Sequence, residues 1–195
     1  MAVIKIELIG PRNEKIEAAI RPLATNRDIL AWYCQWFPHM FDMARQPLHG
    51  DSRWHVPEIW EHYHQTDGYE VLILDAKDEI QGYIVMCFDY TESTEGIKTY
   101  IQFLATAPWN RRLPPAKRQF ANVGKILVSI ASAHGLALNK DARLELHSLP
   151  DAEGFYRRLN MEETGRTKGG LKEFRLGKEA AYDLLRFVLP LLREQ

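Results

Sequence analysis

Residues 101–127, IQFLATAPWNRRLPPAKRQFANVGKIL, constrain this chain more than any other stretch. An apolar, strand-like run ends at Ala107-Pro108. A basic loop containing Pro114-Pro115 follows, and a helical pattern is entered through Asn122-Val123-Gly124. A strand that feeds a helix through such a loop is a natural place to hold phosphate. The N–H groups of the first helical turn lack intrahelical partners, and the helix dipole places partial positive charge there. Arg111, Arg112, Lys117, Arg118 and Lys125 add formal charge around the same point. The segment therefore predicts a site for a pyrophosphate-bearing cofactor.

The rest of the chain has to supply a sheet and a core around that unit. Its 195 residues suit one domain spanning 1–195, with 1–25 as an N-terminal strand and connection and 177–195 as a C-terminal helix. Residues 2–9 alternate apolar and polar and read as a strand ended by Gly10-Pro11. Residues 26–44 carry a helical pattern with an aromatic face, Asn26 as N-cap and a break at Pro38. A short helix over 57–64 follows, then strands over 70–75 and 80–88 joined as a hairpin, then a strand over 97–106. The helix over 123–134 leads to a strand at 143–147, a short helix at 152–159, a strand at 171–176 and an amphipathic helix at 178–192. Segments 89–96 and 162–170 read as loose polar connections. Antiparallel strands followed by strand–helix–strand units predict an α/β (α+β) domain, a mixed sheet with helices on both faces.

Lys+Arg 25 against Asp+Glu 26 gives a net charge of −1, which argues against nucleic acid as the main partner. Cys34 and Cys87 alone do not build a disulfide framework. No run of about 18 apolar residues suggests a membrane span, and the N-terminal apolar run is too short for a signal peptide. The cytoplasm is the expected compartment.

Two local motifs, in this element order, resemble the GCN5-related N-acetyltransferase (GNAT) family. The first is Gln119-Phe120-Ala121-Asn122-Val123-Gly124, against the family's Q/R-x-x-G-x-G/A. Asn122 stands where the first glycine is usual, and asparagine is the non-glycine residue that best accepts positive φ. The second is LELHSLPDAEGFYRRLNM, residues 144–161, in which Ala152, Phe155 and Tyr156 match and Asn160-Met161 replaces Gly-Phe. The resemblance covers roughly residues 27–176. It implies a mostly antiparallel sheet of six to seven strands with a splay between two parallel strands, here 97–106 and 143–147. It also implies acetyl-coenzyme A as co-substrate. Backbone groups of Leu104, Ala105 and Thr106 would pair with the pantetheine arm, one of these amides facing the thioester oxygen. Arg118, Gln119, Phe120, Ala121, Asn122, Val123, Gly124 and Lys125 would hold the pyrophosphate. Tyr156 matches the tyrosine that many members use as general acid toward the departing thiolate.

A general base is less evident in the sequence. Tyr100 and Gln102 lie on the preceding strand with the parity of Leu104, and His147 ends the other splayed strand with a pKa range suited to base work. An already deprotonated amine or a water chain are alternatives. The acceptor is expected to be a small-molecule or peptide amine. Four of the five tryptophans and five of the seven histidines fall between Trp32 and His64, so that region is the candidate acceptor wall, with Trp32, Trp36 and Trp54 as contacts. The competing reading makes the helix tryptophans core residues. His62 and His64 have the wrong spacing for a helical metal pair, and no metal site is expected. The apolar stripe Ala181, Leu184, Leu185, Val188 and Leu192 predicts packing on the domain itself, with a homodimer contact as the rival. The resemblance implies an N-acetyltransferase. A non-catalytic acyl-coenzyme A-binding or regulatory module on the same fold is the alternative.

Overall fold

The computed structural model describes residues 3–23, 25–43, 50–111, 118–138 and 140–193. They form one eight-stranded sheet in the order β1-β2-β3-β4-β5-β6-β8-β7. The strands are β1 (Ile4–Ile9), β2 (Lys15–Pro22), β3 (Tyr69–Ala76), β4 (Glu79–Cys87), β5 (Thr99–Thr106), β6 (Leu144–Ser148), β7 (Glu162–Lys168) and β8 (Leu171–Leu176). Every neighbouring pair is antiparallel except β5 and β6. The predicted parallel pair is therefore present, in a sheet of eight strands rather than six or seven.

Two strands fall where the sequence reads as connection. β2 pairs with β1 and turns Ala18 and Ile20 into the core. β7 is a polar edge strand. It is held by β8 alone, through a turn whose Gly169 and Gly170 both have positive φ. The predicted β3–β4 hairpin turns through Lys77 and Asp78, both at positive φ, which matches the twist of the flanking strands.

On one face lie α1 (Asn26–Gln35), α2 (Phe37–Met43) and α3 (Val56–Tyr63); the other carries α4 (Val123–Ala137) and α6 (Lys178–Val188). α5 (Glu153–Arg158) follows β6. Thr25, not Asn26, caps α1, in a reciprocal capping box with Asp28. Pro38 sits in the first turn of α2, where its missing N–H costs nothing, so it helps to start a helix rather than end one. Trp32 and Trp36 are 2% and 1% exposed in the core beneath α1, and Trp36 Nε1 donates to the Ile80 carbonyl at 2.7 Å. Ala181, Leu184 and Val188 of α6 are buried in the core that α4 shares. The apolar stripe therefore packs on its own domain.

Two bulges shape the centre of the sheet. Leu74 pairs with Gly82 and Asp75 with Ile80, which leaves Gln81 as an extra residue in β4. Val85 pairs with Phe103 and Met86 with Ile101, which leaves Gln102 extra in β5. β5 and β6 pair only from Thr99↔Leu144 to Ile101↔Leu146. Beyond that rung the two strands diverge, and the chemistry-bearing residues collect around the opening.

Candidate active site

The divergence of β5 and β6 opens a cleft of about 760 Å³, walled by the end of β5, the start of α4, and α5. Strand alternation decides which backbone groups face it. Ala107 N–H donates to Gln81 O at 2.9 Å, on the β4 side. Ala105, two residues earlier and paired with Tyr83, points its backbone the same way. Leu104 and Thr106 therefore turn their N–H and C=O groups toward the cleft. Of the three expected backbone contacts, Ala105 is used by the sheet. The Thr106 carbonyl is also taken: Arg111 donates to it from Nε at 3.0 Å and from Nη2 at 2.9 Å. The amides of Leu104 and Thr106 and the Leu104 carbonyl are left for a ligand.

The basic loop is stapled at its base by Gln81. Its Oε1 accepts from Trp109 Nε1 at 2.8 Å and from Asn110 Nδ2 at 2.9 Å, and Asn110 Oδ1 in turn accepts from Phe120 N–H at 2.8 Å. Gln119 N–H donates to Trp109 O at 3.1 Å and Ala121 N–H to Ile9 O at 3.3 Å. The amides of Gln119, Phe120 and Ala121 are thus committed within the protein, and the Phe120 ring is buried. These three residues shape the loop rather than line the cleft. Arg118, Asn122, Val123, Gly124 and Lys125 do line it. The first intrahelical bond of α4 runs from Ile126 N–H to Asn122 O at 2.9 Å, so the N–H groups of Val123, Gly124 and Lys125 have no intrahelical acceptor. Arg112, Lys117 and Pro114-Pro115 lie outside the described residues.

Asn122 has φ 62° and ψ 12°, the left-handed turn that the sequence predicts for it. Asn122→Ala is expected to destabilise the protein by about 1 kcal/mol, the cost of a Cβ-bearing side chain in this region without asparagine's tolerance. That loss lowers the melting temperature by roughly 2–4 °C. Asn122→Gly should melt at or above the wild-type temperature; equal losses for both variants would show that the side chain, not the backbone, matters.

Gly124 faces Phe155 so closely that a Cβ there would lie 3.1 Å from the Phe155 ring. The facing helix α5 ends in a Schellman motif: Asn160 at φ 58°, with Asn160 N–H bonded to Arg157 O at 3.1 Å and Met161 N–H to Tyr156 O at 3.2 Å. This turn fixes α5 and with it Tyr156, which is 6% exposed and lines the cleft. Burial, and then the Asp51 and Asp151 carboxylates, push the Tyr156 phenol well above its usual range.

Asp51 is a cleft residue that no local sequence pattern marks. It sits in a 3-10 turn, Gly50–Arg53, and its carboxylate takes two hydrogen bonds from Arg111, at 2.8 and 2.6 Å. The buried Tyr83 hydroxyl, without a hydrogen-bond partner among the described residues, feels both charges and is raised chiefly by burial.

Tyr100 and His147 occupy the opposite face of the sheet from α4. The bulge at Gln102 reverses the parity read from sequence: Leu104 packs on the α4 side, whereas Tyr100 shares its face with Phe103 and Ala105. Tyr100 Oη lies 2.8 Å from His147 Nδ1, and His147 Nε2 lies 3.8 Å from Glu173 Oε2. Burial lowers the His147 pKa and raises that of Tyr100. Gln102 is half-buried and is the extra residue of the β5 bulge. Of the three tryptophans expected in the acceptor wall, Trp54 is half-buried and meets Phe103 edge-on at 4.9 Å. Trp32 and Trp36 are core residues. His49 lies outside the described residues.

Compared by sequence, the chain matches no family model and no curated protein. Compared by structure, it is similar to a Desulfovibrio desulfuricans protein assigned to the GNAT acetyltransferases, at TM-score 0.56 and 16% identity over 82% of this chain and 98% of that one. It is similar to FeeM, an N-acyl amino acid synthase from uncultured soil microbes, at TM-score 0.56 and 13% identity over 88% and 94%. It is also similar to the spermidine N-acetyltransferase of Vibrio cholerae, solved with CoA and spermine, at TM-score 0.54 and 12% identity over 85% and 98%. The chain has the GNAT fold.

Proposed function

We propose that this protein is an acyl-coenzyme A-dependent N-acetyltransferase that moves an acetyl group from acetyl-coenzyme A directly to a primary amine, on a small molecule or a peptide. The observation that carries the reading is the cleft itself. Two parallel strands part beside unpaired strand amides, a helix N-terminus with a left-handed Asn122 lies at one end, and a protonated Tyr156 lines the wall. The V. cholerae relative of this fold was solved with CoA, which supports the same use of the cleft here. Leu104 and Thr106 would pair with the pantetheine arm, and one of their amides would stabilise the thioester oxygen as it becomes anionic. Val123, Gly124 and Lys125 would hold the pyrophosphate with Arg118 beside them, and Tyr156 would protonate the thiolate.

Calorimetric titration with acetyl-coenzyme A tests the cofactor half of this reading. The wild type should bind in the micromolar range. Gly124→Trp, which forces a large side chain into the tight contact with Phe155 and the cleft beside it, should weaken binding at least about 100-fold, more than about 2.7 kcal/mol, while its circular dichroism spectrum keeps the helix and sheet content of the wild type. Thiol release that needs both protein and amine, across a panel of arylalkylamines, polyamines and peptides, tests the transfer. Tight binding without turnover on any amine would leave an acyl-coenzyme A-binding module instead.

A further inference from the structure

We propose that Glu173 is a positioning residue that completes a proton route from the acceptor amine through Tyr100 and His147. The inference rests on the N-acetyltransferase reading above and names the base side of that reaction, which the sequence left open.

The three groups sit beside the point where the two parallel strands part. His147 follows the last paired rung of the two parallel strands, Ile101↔Leu146, on the α1–α3 face of the sheet. The three side chains come from three adjacent strands. Tyr100 lies on β5, and His147 on β6 is directly opposite Glu173 on β8. Tyr100 Oη and His147 Nδ1 are 2.8 Å apart. Tyr100 is held protonated by burial, so its hydroxyl donates and Nδ1 accepts. The ring proton of neutral His147 then belongs on Nε2, which faces Glu173.

Glu173 is built to wait for a charge. It is fully buried, and its Oε1 accepts from Thr164 Oγ1 at 2.8 Å. Its Oε2 has no hydrogen bond among the described residues, although Arg166 Nη1 lies 3.4 Å away and His147 Nε2 3.8 Å away. A buried carboxylate oxygen without a donor is uncomfortable, and protonation of His147 at Nδ1 charges the ring and strengthens the attraction of its Nε2–H for that oxygen.

The other charged neighbours show why Glu173 decides the outcome. Arg166 and Lys168 on β7 oppose an imidazolium, and Glu92 favours it but is itself paired with Lys168 at 2.7 Å. Glu145 on β6 is held by Arg175 at 3.0 Å, and Tyr90 stacks on Tyr100 at 4.4 Å without formal charge. Without Glu173, cationic groups would dominate around His147.

The step balances as follows. The amine nitrogen bonds to the thioester carbon, and a proton leaves nitrogen for Tyr100 Oη as that hydroxyl passes its own proton to His147 Nδ1. The carbon–sulfur bond breaks, the electron pair leaves with sulfur, and Tyr156 protonates the thiolate. His147 returns its proton to solvent and Tyr156 regains one. The products are the amide and free coenzyme A.

The test is the pH dependence of thiol release, between about pH 5.5 and 9.5, for wild type, Glu173→Gln and Tyr100→Phe with an amine from the panel. The wild-type rate should rise with pH through one acid limb, as His147 loses its proton. In Glu173→Gln the imidazolium loses its carboxylate. The limb should move to lower pH, with kcat down roughly 10–100-fold on the plateau and the KM for acetyl-coenzyme A unchanged. Tyr100→Phe should lose a similar factor, and it decides the matter if Glu173→Gln does not fold. Imidazole nitrogen resonances of the resting wild type should report the Nε2–H tautomer. Variant profiles that superimpose on the wild type would overturn the route and leave the acetyltransferase reading standing. Acetyl-coenzyme A binding with no wild-type turnover on any amine would overturn that reading, and the route with it.

Discussion

Tyr156→Phe is expected to lower kcat for acetyl transfer by about 100-fold or more, the scale of a lost general acid, with acetyl-coenzyme A affinity unchanged within about twofold. The phenol lines the cleft and makes no hydrogen bond among the described residues, so its removal strands no partner. The ring keeps its packing, tilted against Phe174 with centroids 5.8 Å apart, and the melting temperature should hold. Burial and the facing carboxylates raise the phenol's pKa. The direction fixes the sign of the pH dependence. An acid works while it is protonated, and raising its pKa extends that range upward. Wild-type kcat should therefore show no alkaline fall from this group up to about pH 10, the reference value for tyrosine. A thiolate with a reference pKa near 8.5 would otherwise leave as an anion at high pH without needing help. The profile of Tyr156→Phe should accordingly approach that of the wild type as pH rises. A variant within about threefold of wild type at neutral pH would assign thiolate protonation to water or another group.

The parts of the site that were legible in the sequence are those where backbone geometry restricts residue choice locally. Asn122 and Asn160 each replace a glycine of the resembled motifs, and each adopts the positive φ that such a position demands. The parallel strand pair follows from strand–helix–strand order in the same local way. What escaped depends on contacts between distant segments. β7, Glu-Glu-Thr-Gly-Arg-Thr-Lys, has no apolar face because it is an edge strand with one neighbour. The bulge at Gln102 inserts one residue and swaps the face of everything before it, so that Tyr100 and Leu104 part company although both sit at even positions. Gln81 looks like an interior polar residue of a strand, yet it organises the loop through Trp109 and Asn110. Asp51 and Glu173 are ordinary surface-type residues in sequence. Only the fold sets one against Arg111, 60 positions away, and the other against His147.

Arg111→Met is expected to destabilise the protein by roughly 3–5 kcal/mol, the range for breaking a buried ion pair from one side. The melting temperature should fall by roughly 6–20 °C at about 2–4 °C per kcal/mol. Both side chains are nearly buried, at 12% and 11% exposed, and the pair is bidentate. Removing the guanidinium strands the Asp51 carboxylate, whose charge reaches a Tyr83 hydroxyl that has no hydrogen-bond partner among the described residues, and also releases the Thr106 carbonyl, which Arg111 holds twice. The loss should come mainly from the stranded charge. Arg111→Met/Asp51→Leu, which removes both charges and keeps apolar volume, should therefore recover most of the stability. Thermal melts of the two single variants and the double variant complete the cycle. Single variants within about 1 kcal/mol of wild type would place the pair among weak surface bridges. The recovered double variant then separates stability from function. It lacks the tie between the Gly50–Arg53 turn and the end of β5 while the fold is intact. A further loss of acetyl-coenzyme A affinity in that variant would mean that Arg111 serves the cleft by fixing Thr106, so that the neighbouring amides meet the ligand at a set angle.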